Sequence, residues 1–155
     1  MATKAIELKK KSRLLEGKTL KAFSACSSQR RKFTRMFGKS VRVTVKRVLA
    51  AEAEGLDVSY LQVLMSPEAN TAYEKATRKL YSSGGFARKI AALKRKFDYG
   101  NEDWYSLSNL DLRNEFYAAE AIVDGEYSKA CTETMALYWI NDPKPRNKPG
   151  ADEQY

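Results

Sequence analysis

Residues 27–40, Ser-Ser-Gln-Arg-Arg-Lys-Phe-Thr-Arg-Met-Phe-Gly-Lys-Ser, set Arg30, Arg31, Lys32, Arg35 and Lys39 around Phe33, Met36 and Phe37 with no acid among them. Cations gathered without carboxylates are chemistry for phosphate. They neutralise a polyanion, and the counterions it releases drive the binding. Further clusters recur at Lys9–Arg13, Arg42–Arg47, Lys75–Lys79 and Arg88–Lys96. The candidate phosphate-binding residues are Lys9, Lys10, Lys11, Arg30, Arg31, Lys32, Arg35, Arg42, Lys46, Arg47, Arg88, Lys89 and Arg95. Phe33 and Phe37 stand four apart and are expected in the core rather than stacked on bases.

Other chemistry finds less support. The chain of 155 residues contains no histidine, which removes the commonest general base and metal ligand. Cys26 and Cys131 make no metal or redox motif and are expected as buried free thiols. Gly17-Lys18-Thr19 resembles the end of a phosphate-binding P-loop, but Ser12 stands where its first glycine belongs and lysines stand where a buried strand belongs. Ala51, Gly55, Leu56, Leu61 and Leu64 match the skeleton of a helix-turn-helix. Its second helix would offer only Gln62 as a base reader before Pro67, so an ordinary helical hairpin is the better reading. Ser82-Ser83-Gly84-Gly85 ahead of Arg88 and Lys89 reads as a helix–helix turn, with phosphate binding as the functional alternative. Asp111, Glu115, Glu120 and Asp124 sit on one expected helix without a second acidic element, and read as a solvated or docking face rather than a metal site.

The elements that must position these residues are helical, because apolar residues recur with a period near 3.6. Expected helices cover 4–15 (capped by Thr3), 18–37 (broken near Ser27-Ser28 and ended by Gly38), 41–54 (capped by Ser40) and a short 58–65 begun by Asp57. A strand at 41–45 is the alternative reading of Val41-Arg42-Val43-Thr44-Val45. Ser66-Pro67-Glu68 opens a helix over 67–82, and another begins near Phe86. Ser108-Asn109-Leu110-Asp111 resembles a capping box opening a helix that Gly125 ends, and residues 126–140 form the last one. The fold class is all-α: a single compact domain of about six to eight helices over 1–140, with 141–155 a short flexible tail.

The net charge of +9 is unevenly placed. Residues 1–100 hold 23 Lys and Arg against 8 Asp and Glu, whereas residues 101–155 hold 5 against 11. A basic part and an acidic part suggest a polyanion-binding surface and a second, different one. No apolar run approaches the ~20 residues of a membrane span, and no secretory signal pattern is present. The expectation is a cytoplasmic, non-catalytic protein without a cofactor that binds DNA or RNA through phosphates, largely regardless of sequence. The alternative is a protein–protein module for an acidic partner: an inhibitor, an adaptor or an assembly subunit. A charged, motif-poor chain of this length has the profile of a viral accessory protein.

Overall fold

The computed structural model describes residues 5–150, and they form the mostly helical fold expected from the periodicity. In chain order the elements are β1 (Arg13–Glu16), α1 (Gly17–Ala22), α2 (Ser27–Phe37), β2 (Ser40–Val43), α3 (Val45–Ala53), α4 (Tyr60–Val63), α5 (Pro67–Ser83), α6 (Phe86–Lys96), a 3-10 turn (Leu107–Asn109) and α7 (Leu110–Asn141). Two compact units divide the chain. Described residues up to Lys75 and from Thr132 onward form the first, and Ala76–Cys131 form the second. Both divisions fall inside helices, α5 and α7, so neither is marked by a linker that composition would reveal.

The first unit buries Leu15, Leu20, Phe33, Val41, Val43, Val48, Leu61, Leu64, Met65, Met135, Ala136, Trp139 and Ile140 in one core. A two-stranded antiparallel ribbon crosses it, pairing Arg13 with Val43 and Glu16 with Ser40. Both strands correct helix expectations. In 4–15, residues 5–12 form no helix and Arg13–Glu16 are β1; the expected cap Thr3 and Lys4 lie outside the described residues. Leu8 and Leu14 stay exposed, and Leu15 enters the core. In 41–54 the strand alternative holds for the first residues. Val41 and Val43 are buried with Arg42 exposed between them, a period-two pattern that suits β-branched side chains. Ser40 is therefore paired in the ribbon, and Thr44 is the helix cap, its side chain accepting a hydrogen bond from the Arg47 amide at 3.2 Å.

Other boundaries follow local chemistry more closely. Gly38 takes φ +73° and ends α2, with its amide donating to the Thr34 carbonyl. Ser66 caps α5, its hydroxyl accepting from the Ala69 amide at 3.1 Å. The first residues beyond α7 are anchored. Asp142 is fully buried, and its carboxylate accepts from the Ser66 amide at 2.6 Å, the Ser66 hydroxyl at 2.9 Å and the Lys144 amide at 2.9 Å. Arg146 donates its backbone amide to the Leu64 carbonyl at 2.8 Å and lays its guanidinium over the Phe23 ring. Residues 151–155 of the expected tail lie outside the described residues.

The second unit centres on Phe97, Trp104 and Phe116, joined by Leu93. Trp104 and Phe116 meet edge to face with ring centroids 5.4 Å apart. Gly125 does not end a helix there; α7 runs through it. A glycine stops a helix by turning left-handed, but buried Val123 and Tyr127, which packs on Tyr81 and Phe86, hold the turns on either side. The expected capping serine, Ser108, lies in the 3-10 turn and hydrogen-bonds the Ser106 hydroxyl at 2.8 Å, so α7 starts beyond it.

Candidate nucleic-acid interface

The opening stretch becomes α2, and its two kinds of side chain separate by direction. Phe33 is buried, and Phe37, half-buried, meets it edge to face at 5.4 Å. The cations between these anchors are left outward: Arg31 and Arg35 exposed, Arg30 half-buried. Arg30 is held from below, its Nε donating to the Ala25 carbonyl at 2.9 Å. Its own carbonyl accepts from the Thr34 hydroxyl at 3.0 Å.

The tight turn after α1 lays that helix beside α2. An open depression of about 400 Å³ results, lined by Lys18 and Lys21 of α1, Arg30 and Thr34 of α2, and Lys39 beyond it. A second open hollow of about 480 Å³ is lined by Ser27, Arg30, Arg31, Thr34 and Arg35. Arg30 and Thr34 line both, so the two form one continuous basic surface. Glu16 is the one acid among these lining residues; it pairs with Lys18 at 2.9 Å. That pair is well exposed and weakly bound, so a phosphate can compete for the lysine.

Lys18, Lys21 and Lys39 are absent from the candidate phosphate-binding residues read from the sequence, although Lys39 stands in the opening stretch and Lys18 in Gly17-Lys18-Thr19. The P-loop reading fails on geometry as well as on pattern, although a strand does precede Gly17. That strand is antiparallel, α1 has six residues, and the Gly17 amide already donates to the Lys39 carbonyl at 2.9 Å.

The remaining candidate cations divide. Lys32 donates Nζ to the Gly55 carbonyl at 3.0 Å and so ties α2 to the turn after α3. Arg42 and Arg47 are exposed on β2 and α3, with Arg47 donating to the Arg42 carbonyl at 2.9 Å; Lys46 is exposed beside them. Lys9 pairs with Glu7 at 2.6 Å, Lys10 is pinned through its backbone by the Asn141 amide side chain, and Lys11 is exposed. None of these lines the depression. Arg88, Lys89 and Arg95 belong to α6 in the second unit, where Lys89 pairs with Glu126.

The other motifs of the sequence take structural roles among the described residues. Gln62, the single base reader of the helix-turn-helix reading, gives its amide to Asn70 at 2.9 Å, and α4 is one turn long. Gly85 begins α6 in a left-handed conformation, and the Ser82 hydroxyl is spent on the Arg78 carbonyl, as in an ordinary turn. Among the described residues no three or more His, Cys, Asp or Glu gather as a metal site. Cys26, expected to be buried, is exposed at the start of α2, and Cys131 is half-buried; both are free thiols. Hydrogen bonds from the Ser28 hydroxyl and then from the Gln29 amide hold the Cys26 thiol below its usual pKa.

Arg13 is the cation that the structure takes away from the surface. Its guanidinium donates to the carbonyls of Trp139, at 2.8 Å, and Asp142, and lies over the Trp139 ring. Burial pushes its pKa down while Asp142 opposes the shift. A cation at the last carbonyls of α7 satisfies groups that the helix leaves unbonded and complements its dipole.

No protein-family model, curated protein or solved structure matches the chain.

Proposed function

We propose that the α1–α2 face binds nucleic acid through its phosphate backbone, without catalysis and largely without sequence selectivity. The observation that carries this reading is the merging of Lys18, Lys21, Arg30, Arg31, Arg35 and Lys39 around Thr34, with Glu16 the one acid among the described lining residues. Charge from separate stretches of chain gathers on one concave surface, where phosphate oxygens can meet several donors at once.

The aromatic side chains narrow the mode. Among the described residues of the first unit, the exposed large apolar side chains are Leu8, Leu14 and Val63, none aromatic. Base stacking therefore has no platform beside these cations, and affinity rests on phosphates. Titration of labelled duplex DNA, single-stranded DNA and RNA at several salt concentrations tests the reading. Six phosphate contacts give a slope of about −5 in log K against log salt for a B-form duplex. Absence of binding at low salt, together with capture of an acidic protein by the same face, would replace this reading with the protein–protein one.

A further inference from the structure

The second unit carries a surface that the phosphate-binding face leaves unused. Trp104 is fully buried, and the chain that follows it is clamped: Arg113 Nη1 donates to the carbonyls of both Trp104 and Ser106, each at 2.7 Å. Asn109 Nδ2 adds a bond to the Asp103 carbonyl at 3.0 Å. Between the two clamped carbonyls stands Tyr105, 77% exposed, followed by Leu107 at 87% and Leu110 at 47%. Single exposed apolar residues are ordinary, but three within six positions on a segment held from both sides form a pre-organised apolar surface.

The exposed charge around it is one-sided. Glu102, Asp103, Asp111 and Glu115 are exposed, and none takes part in an ion pair among the described residues. Helix α6, in the same unit, offers the complement. Its apolar stripe of Phe86, Ile90 and Leu93 is half-buried within the unit, Phe86 against Tyr127 and Leu93 against the Phe97–Trp104–Phe116 cluster. Arg88 and Arg95 are exposed beside that stripe with no acidic partner among the described residues, unlike Lys89. One surface is apolar and anionic; the other is cationic.

We propose that the Tyr105–Leu110 surface of one copy docks on α6 of a second copy, and reciprocally, so that the protein forms a two-fold dimer. A chain carrying both complements closes this contact with itself about a two-fold axis, each half made twice. Tyrosine and arginine are the side chains that most often dominate such contacts, and opposed unpaired charges set the register. Arg88 and Arg95 thereby serve a partner chain rather than phosphates.

Sedimentation equilibrium of the full chain across protein concentration, at low and high salt, tests the proposal, with circular dichroism confirming that each variant is folded. The wild-type protein is expected as a monomer–dimer equilibrium that weakens as salt rises. D103R/D111R and R88E/R95E should each weaken self-association by about tenfold or more, since like charges then face each other. An equimolar mixture of the two variants should recover a 1:1 dimer, because both reciprocal contacts are again oppositely charged. Y105A/L107A should weaken the dimer at every salt concentration. A wild-type monomer at all concentrations, species growing beyond the dimer, or charge-reversed variants that fail to re-pair would overturn it. So would a fall in nucleic-acid affinity of R88E/R95E with the oligomeric state unchanged.

Discussion

The carboxylate of Asp142 grips Ser66 twice, accepting its backbone amide at 2.6 Å and its hydroxyl at 2.9 Å, in a fully buried position. Ser66 in turn caps α5, so the chain beyond α7 fixes the start of a helix 76 positions earlier. Asp142→Ala leaves the Ser66 and Lys144 amides without their acceptor and should cost about 2–4 kcal/mol of stability. Urea denaturation measures it. A loss within 0.5 kcal/mol would mean that this anchor does not hold the first unit together.

The phosphate-binding face makes a graded prediction. Lys21→Ala, Arg31→Ala and Lys39→Ala should each weaken binding similarly for all sequences and make the salt slope shallower by about 1. Their melting temperatures should stay near that of the wild type. Lys32→Ala, which breaks the tie to Gly55, should lower stability by about 1 kcal/mol and leave the slope unchanged. If Lys32 shifts the slope and Lys21 does not, the face lies elsewhere on α2.

Gly125 distinguishes a continuous α7 from two helices. A Cβ at this position meets no atom within 4 Å, and the backbone is not left-handed. Gly125→Ala should therefore stabilise the protein by about 1 kcal/mol, the helix-propensity difference. A helix end at Gly125 would make the same change destabilising, which thermal unfolding would register.

The two thiols should differ in rate. The hydrogen bonds from Ser28 and the Gln29 amide favour the Cys26 thiolate, and the residue is exposed, whereas Cys131 is half-buried. A depressed pKa raises the thiolate fraction near neutral pH, so iodoacetamide should modify Cys26 first, with mass spectrometry reporting the site. Ser28→Ala removes the larger of the two bonds and should shift the pH–rate profile of Cys26 upward. Equal rates at the two cysteines would contradict the geometry.

Much of the helical framework was legible because its signals are local. Ser66-Pro67 and Gly38 depend on capping and φ preferences within a few residues, and they hold in the fold; the break read near Ser27-Ser28 falls at residues 23–26, just ahead of α2. The misread segments have competing periods. Val41-Arg42-Val43 fits a helix or a strand, and the presence of β1 as a pairing partner settles it. Gly125 carries a stop signal, but packing at Val123 and Tyr127 outweighs the roughly 1 kcal/mol cost of a mid-helix glycine.

By itself the sequence determined the helical class, the excess of cations in residues 1–100, and the inward role of Phe33, because periodicity and composition are properties of adjacent residues. Tertiary structure decided which cations act together. Lys18, Lys21 and Lys39 join Arg30 on one surface, Lys32 is used as a tie, and Arg13 leaves the surface to bind the end of α7. That division depends on which carbonyls and carboxylates each side chain reaches after the chain has folded back on itself. Contacts separated by up to 129 positions set it, and no local pattern encodes them.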